Sequence, residues 1–364
     1  MASRIKRILR AVRPLFETLG VIAVCVASGT LQCGRPALTP PERHGAALYQ
    51  RMCAVCHGPS GGGYRADEAT MLRNPVFLAT VSDNYLRRAI SQGRKGTVMS
   101  AWLTRHGGPL SYADVNDVMA FLRTWQRVQS EILDERPPRG VAARGQQLFD
   151  ANCAKCHGAR GVSGRYVNIG EGGLLTTASD GFLRAAIRHG RPDTPMPAFG
   201  EVLGDQGVED VVALLRSWEP HDTPPQQPAV VQAAPLPLGP VPLNPHGPEP
   251  KGFKMHPERT SMNIVRPELK RGAKMALLDA RAPSDYIAAH IPGAVSVPFY
   301  DVDRYAKDLP KDAWLVCYCS CPHAESGMLA AALVGKGFKK VTVLEEGLRG
   351  WSMMKWETRE GSAP

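Results

Sequence analysis

The sequence predicts a multidomain chain: two small, mainly α domains in tandem, then a C-terminal α/β domain with a parallel sheet. Three observations carry this. A helical pattern recurs after 100 residues, a proline-rich stretch follows it, and beyond that stretch the apolar runs shorten to strand length. With 364 residues and 43% hydrophobic content, the chain can bury more than one core. The expected organisation is a leader over 1–33, helical domains over 40–130 and 140–220, a linker over 221–252 and the α/β domain over 258–358.

The leader comes first. Arg4, Lys6, Arg7, Arg10 and Arg13 stand without an acidic residue before a nine-residue apolar run over 19–27, followed by small and polar residues. That order is the layout of an export signal, and the apolar run is too short to cross a bilayer as a helix. The signal can be cleaved or kept as an anchor. Cys25 and Cys33 add lipid attachment as a third fate, although neither follows the small residue usual in lipoprotein signals.

The repeat defines the two helical domains. Gly45-Ala-Ala-Leu-Tyr-Gln-Arg-Met-Cys53-Ala-Val-Cys56-His57-Gly58 matches Gly145-Gln-Gln-Leu-Phe-Asp-Ala-Asn-Cys153-Ala-Lys-Cys156-His157-Gly158. Tyr85 pairs with Phe182, Met99 with Met196 and Trp125 with Trp218, in the same order and with small drifts in offset. Loop deletions within a common fold explain such drifts. Val115, Val118, Met119 and Leu122 form one helical stripe, introduced by Ser111 and Asp114 as a capping arrangement. Val208, Val211, Val212 and Leu215 form its counterpart, and a short helix fits residues 45–50 ahead of the first cysteine pair.

Eleven of the 31 residues from 220 to 250 are proline, which reads as a stiff extended tether. Beyond it, residues 275–279, 314–318 and 341–344 have strand length, and the Ala- and Leu-rich stretch 326–336 reads as a helix between the last two. Strand, helix, strand at this spacing argues for a parallel sheet.

A CxxC pair alone fits half a zinc site, a thiol redox pair or a haem attachment. The histidine after each second cysteine favours haem, because two thiols bond to the vinyl groups while the next imidazole turns onto the iron. Cys53, Cys56, Cys153 and Cys156 are therefore candidate attachment residues for two covalent haem c groups, with His57 and His157 as proximal ligands. Met99 and Met196 follow 42 and 39 residues after these histidines, in Gly- and Pro-punctuated loops, and are the candidate sixth ligands. His106 and His189 are rivals without a counterpart in the other copy. Met52, Met71 and Met119 read as packing residues. His/Met ligation closes both axial positions and leaves one-electron transfer as the chemistry. Arg87, Arg88, Arg184 and Arg188 are candidates to neutralise propionates, or are simply solvent-exposed.

Residues 45–128 and 145–218 resemble class I cytochrome c domains through the CxxCH segments, the methionine loops and the closing helices. The loop Thr-Pro-Met-Pro around Met196 follows that family closely, whereas Thr-Val-Met-Ser around Met99 lacks both prolines. The resemblance implies a small helical fold around each haem and an electron-carrier role in the periplasm of a Gram-negative bacterium, or on the periplasmic face of its membrane. The implied partners are redox proteins of a periplasmic or membrane chain.

Residues 258–358 resemble a rhodanese-like domain through Leu278-Asp-Ala-Arg-Ala-Pro-Ser-Asp-Tyr286, Ala289-His-Ile-Pro-Gly-Ala294, Gly337-Phe338 and Glu346-Gly-Leu-Arg-Gly-Trp351. In that family a cysteine ends the central strand and opens a loop of amides before a helix. Here the place falls to Cys319, with Ser326 starting the helix. The resemblance implies that Cys319 accepts a sulfane sulfur as a persulfide and passes it to another thiol. The loop is one residue longer than usual, and Glu325 stands where an arginine commonly precedes the helix, so its carboxylate is expected to repel thiosulfate. Cys321 is a second candidate thiol, for a redox pair with Cys319 or a soft-metal site, and His323 is placed to assist either. Cys317 reads as a buried small hydrophobe.

The formal charge of +10 falls to +6 when residues 1–32 are removed, and near +2 with four ionised propionates. Without a basic stripe or interleaved aromatics, nucleic acid is not an expected partner. Three functions remain: an exported dihaem electron carrier whose last domain binds a partner or handles sulfur, a haem-coupled sulfurtransferase or sulfur-oxidising enzyme using Cys319, and a structural relay subunit of a respiratory complex.

Overall fold

A computed structural model describes residues 37–66, 69–94, 97–162, 164–170, 172–219, 236, 240–320 and 323–364. The leader with Cys25 and Cys33, the linker over 220–235 and 237–239, and Cys321 lie outside the described residues. Leu38–Pro364 forms one compact unit.

Its N-terminal region is mainly helical. The first copy holds α1 (Pro40–Leu48), α2 (Ala54–His57), α3 (Pro75–Thr80), α4 (Asp83–Gln92) and α5 (Tyr112–Arg123). The second holds α6 (Ala142–Asn152), α7 (Ala154–His157), α8 (Gly172–Leu175), α9 (Asp180–His189) and α10 (Gly200–Ser217). The expected stripes are the buried faces of α5 and α10, and Ser111 and Asp114 form a reciprocal capping box. Ser82 and Ser179 cap α4 and α9 in the same way, each accepting from the backbone N–H three residues on. The approach to the cysteines differs between copies. α6 runs unbroken to Asn152, whereas α1 stops at Leu48 and passes through a π-helical turn, Tyr49–Cys53.

The repeat extends to side-chain contacts. Arg123 donates to the carbonyls of Leu78 (2.7 Å) and Val81 (2.8 Å) and to Asp83 (2.7 Å). Arg216 donates to the carbonyls of Leu175 and Ala178 and to Asp180, each at 2.6 Å. Tyr49 meets Trp125 edge-on at 5.1 Å, and Phe149 meets Trp218 edge-on at 5.0 Å. The copies join through aromatic rings: Tyr85 and Phe182 lie 5.0 Å apart, and Phe77 packs edge-on against both.

The C-terminal part is α/β with an all-parallel sheet of β1 (Arg259–Thr260), β2 (Met275–Asp279), β3 (Ala294–Ser296), β4 (Trp314–Tyr318) and β5 (Val341–Leu344), in the order β1-β5-β4-β2-β3. Between and after the strands run α11 (Met262–Lys270), α12 (Pro283–Ala288), α13 (Val302–Ala306), α14 (Ala324–Gly335) and α15 (Gly347–Met353). β2, β4 and β5 are buried almost throughout, as a sheet covered on both faces requires. α14 begins at Ala324, two residues before the expected Ser326.

The proline-rich stretch does not remain a free tether to its end. The Pro248 carbonyl accepts from Lys274 N–H, Asn244 donates to the Gly272 carbonyl, and Glu249 pairs with Lys340. Its last residues therefore lie on the sheet domain. Among the described residues, no helix is long and apolar enough to cross a membrane.

Candidate functional site

Each cysteine pair opens a one-turn helix, α2 or α7, that ends on the following histidine. Gly58 (φ 77°) and Gly158 (φ 83°) then turn the chain away in a conformation that favours glycine. No disulfide joins the described cysteines. Burial pushes the Cys53 thiol up to about 12, and burial followed by Cys156 pushes Cys153 up to about 11. A thiol redox pair needs the opposite shift.

The two histidines have matching surroundings. His57 Nδ1 lies 2.9 Å from the Thr70 carbonyl, and His157 Nδ1 lies 3.0 Å from the Val167 carbonyl. A carbonyl partner fixes Nδ1 as the protonated nitrogen, which leaves the Nε2 lone pair as the donor, the arrangement usual for a metal-bound imidazole. Burial holds both rings below the ordinary histidine value and so neutral; Arg94 adds to this at His57.

Met99 and Met196 sit in loops of one design. Each methionine carbonyl accepts from an arginine N–H (Arg94, 3.0 Å; Arg191, 2.9 Å), and each methionine N–H donates to a threonine hydroxyl (Thr97, 3.1 Å; Thr194, 3.2 Å). Gly93 (φ 67°) and Gly190 (φ 60°) start the loops, where a Cβ would fall 2.4 Å from backbone atoms. The first loop keeps this pattern without the prolines of the second. His106 ends a short 3₁₀ turn, and His189 is about half exposed, 3.8 Å from Glu131.

Of the four arginines read as propionate partners or solvent-exposed, three have partners of their own. Arg184 pairs with Glu209 at 2.6 Å, Arg188 pairs with Asp205 at 2.9 Å, and Arg87 faces Asn116. Two further arginines stand at the starts of the methionine loops. Arg94 lies 4.6 Å over the Tyr85 ring with a buried Nη1 that has no hydrogen-bond partner, and Arg191 lies 5.2 Å over Phe182. Burial lowers Arg191 to about 10. The signal for them was the Gly-Arg pair repeated at 93–94 and 190–191.

The third candidate, Cys319, follows the central strand β4 and is buried, its Sγ 3.2 Å from Ser326 Oγ. Arg281, held by Asp279, reaches Ser320 Oγ at 3.2 Å. His323 adopts φ 74° at the start of α14 and lies 3.9 Å from Glu345. Cys317 is fully buried within β4. Glu325 is buried in the first turn of α14, and its carboxyl is pushed well above the ordinary value by burial, then by Cys319 and Asp285. That shift favours the uncharged form, which repels an anionic donor less than a carboxylate does.

The first CxxCH segment and the α/β domain adjoin. α2 touches α14, Arg51 Nε donates to the Tyr300 carbonyl at 2.9 Å, and the Trp102 and Tyr300 rings lie 5.7 Å apart.

Comparison with known proteins fits this architecture. The family described as cytochrome c oxidase, cbb3-type, subunit III, matches residues 40–122 and again 140–215, and the rhodanese-like domain family matches 266–354. The chain thus combines an N-terminal region like a cbb3-type cytochrome c oxidase subunit with a C-terminal rhodanese-like domain. Through that domain it belongs to the rhodanese family: it is 35% identical over 97 residues to thiosulfate sulfurtransferase GlpE of Pseudomonas entomophila, covering 26% of this chain and 85% of that protein. It is also 26% identical over 189 residues to the cbb3-type cytochrome c oxidase subunit FixP of Azorhizobium caulinodans (50% of this chain, 60% of that protein). The subunit CcoP of Azospirillum brasilense is 27% identical over 190 residues, with 48% and 60% covered. The chain spans about 60% of the length of these two oxidase subunits.

Proposed function

We propose that this chain is a periplasmic dihaem c-type cytochrome that passes single electrons along a respiratory chain, with sulfur handled or a partner bound at its rhodanese-like domain. In this reading Cys53, Cys56 and His57 hold one haem and Cys153, Cys156 and His157 the other, with Met99 and Met196 as the opposite ligands. The donor sets fit that group: soft thioether and neutral imidazole donors suit iron, burial raises the Cys53 and Cys153 thiols, and the unpartnered Nη1 of Arg94 suits a propionate. The strongest support is the twofold recurrence, directly after a CxxC pair, of an imidazole whose Nδ1 is taken by a main-chain carbonyl.

When bound, each haem supplies a one-electron couple. The chain's own residues do the rest: the Thr70 and Val167 carbonyls orient the imidazoles, and the aromatic cluster of Phe77, Tyr85 and Phe182 keeps water from the junction of the two copies. Protein produced with a cytochrome maturation system and analysed by intact mass and absorbance tests the reading. Two covalent porphyrins with a Soret band are expected; none would end it.

A second reading is favoured by the buried Cys319 thiol beside Ser326 at the end of the central strand of a rhodanese-family domain. There Cys319 attacks a sulfane sulfur, releases the donor's remaining anion and passes the sulfur to an acceptor thiol. Transfer from thiosulfate or a persulfide, abolished in Cys319→Ser, is the expected result; transfer undiminished in that variant excludes Cys319.

A further inference from the structure

The two methionine loops share their hydrogen bonds but differ in what stiffens them. In the second, Met196 stands between Pro195 and Pro197, whose rings fix φ. In the first, Val98 and Ser100 occupy those places, and a loop with free φ loses more conformational entropy when it is ordered. The first loop has contacts from outside its own copy instead. Ser100 is buried, and its hydroxyl donates to Asp285 Oδ2 at 2.6 Å. One residue on, the Ala101 carbonyl accepts from Ser284 Oγ at 2.9 Å. Ser284 and Asp285 stand in the first turn of α12, in the rhodanese-like domain. Trp102 then packs on Tyr300, and Arg51, two residues before Cys53, reaches Tyr300 and Asp301. Both chain segments that carry the first donor set therefore lean on the C-terminal domain.

We propose that Ser284 and Asp285 are positioning residues for Met99: the rhodanese-like domain clamps the first methionine loop from outside, in place of the prolines that stiffen the second. This rests on Met99 being an axial ligand. The C-terminal domain then has a part in electron transfer that is independent of any sulfur chemistry, because it sets the stability of one iron–thioether bond and leaves the other alone. The Ser100–Asp285 bond is the shorter of the two contacts, so Asp285 carries most of the clamp. Neither residue touches the iron ligands directly.

The test uses full-length holo-protein and reads the ferric iron–methionine charge-transfer band together with the potentials of the two haems. Asp285→Ala and Ser100→Ala are expected to halve the band and lower one potential while the other stays fixed. Asp285→Asn, which still offers an acceptor oxygen, is expected to retain most of both. Ser100→Pro, which imports the second loop's own solution, is expected to restore the band in the Asp285→Ala background, an outcome that general damage to the C-terminal domain would not give. A full band and two unchanged potentials in both alanine variants would overturn the proposal. A band left at full strength in Met99→Leu would overturn it too, but by removing Met99 from the iron, and the two failures are thus told apart.

Discussion

Arg94 stacks 4.6 Å over the ring of Tyr85, yet the stacked guanidinium keeps a buried Nη1 with no hydrogen-bond partner. Its charge lies close enough to His57 to help hold that ring neutral. A positive group near an iron favours the reduced, less positive state. Arg94→Gln is therefore expected to lower the potential of the first haem by roughly 1 kcal/mol, about 40 mV for one electron. A potentiometric titration checks it, with the second haem unmoved.

Attachment is separable between the copies, because each CxxCH segment has its own one-turn helix and its own carbonyl partner. Replacing Cys53 and Cys56 by alanine should leave one covalent porphyrin by intact mass, and so should replacing Cys153 and Cys156. Replacing all four should leave none. Loss of both porphyrins on replacing only one cysteine pair would show that the copies mature as a unit.

These expectations came from the sequence in unequal measure. The helical repeat was legible because its signals are local: Ser111 with Asp114, the stripe from Val115 to Leu122 and the same order again near Val208. β2, β4 and β5 were legible for the same reason, whereas β1 and β3, two and three residues long, were not. What was hidden depends on distant parts of the chain meeting. Ser100 and Asp285 are 185 residues apart, and nothing near either announces the other. Glu325 reads as a repelling carboxylate in sequence, and only its burial in the first turn of α14 reveals the upward shift that favours its uncharged form. Arg184 and Arg188 were plausible anion partners until Glu209 and Asp205 appeared beside them.

The buried Glu325 makes stability depend on pH with a definite sign. Its folded-state value is raised well above the ordinary 4.5, first by burial and then by Cys319 and Asp285. Between those two values the folded protein binds the extra proton, so stability falls as pH climbs from about 4.5 towards the folded value. Glu325→Gln keeps the shape without the titration. It is expected to stabilise the full chain at neutral pH by about 1 kcal/mol or more and to be close to neutral below pH 4. Urea unfolding at the two pH values, read by amide exchange in β4, tests this; an equal effect at both would remove the ionisation argument.

The helix crossings give the last prediction. Gly45 of α1 meets α5 so closely that a Cβ would fall 1.9 Å from the Asp117 carbonyl oxygen, and Gly145 of α6 meets α10 with a Cβ 2.1 Å from the Asp210 carbonyl oxygen. Neither contact ends on a flexible side chain, so the helices themselves must part. That separation strains the packing between Tyr49 and Trp125, or between Phe149 and Trp218, against which each cysteine pair is set. Gly45→Ala and Gly145→Ala should each cost about 3 kcal/mol in their own copy, at the upper end of overpacking penalties, despite alanine's better helix propensity. Gly335, at the end of α14, has open space around its Cβ position and a helical backbone. Gly335→Ala should therefore be neutral or stabilising by about 0.5 kcal/mol. Amide exchange in the full chain separates the three, because loosening confined to α1 and α5, or to α6 and α10, is the signature of a crossing forced apart, whereas equal loosening in both copies would mean that the glycines act through the chain as a whole.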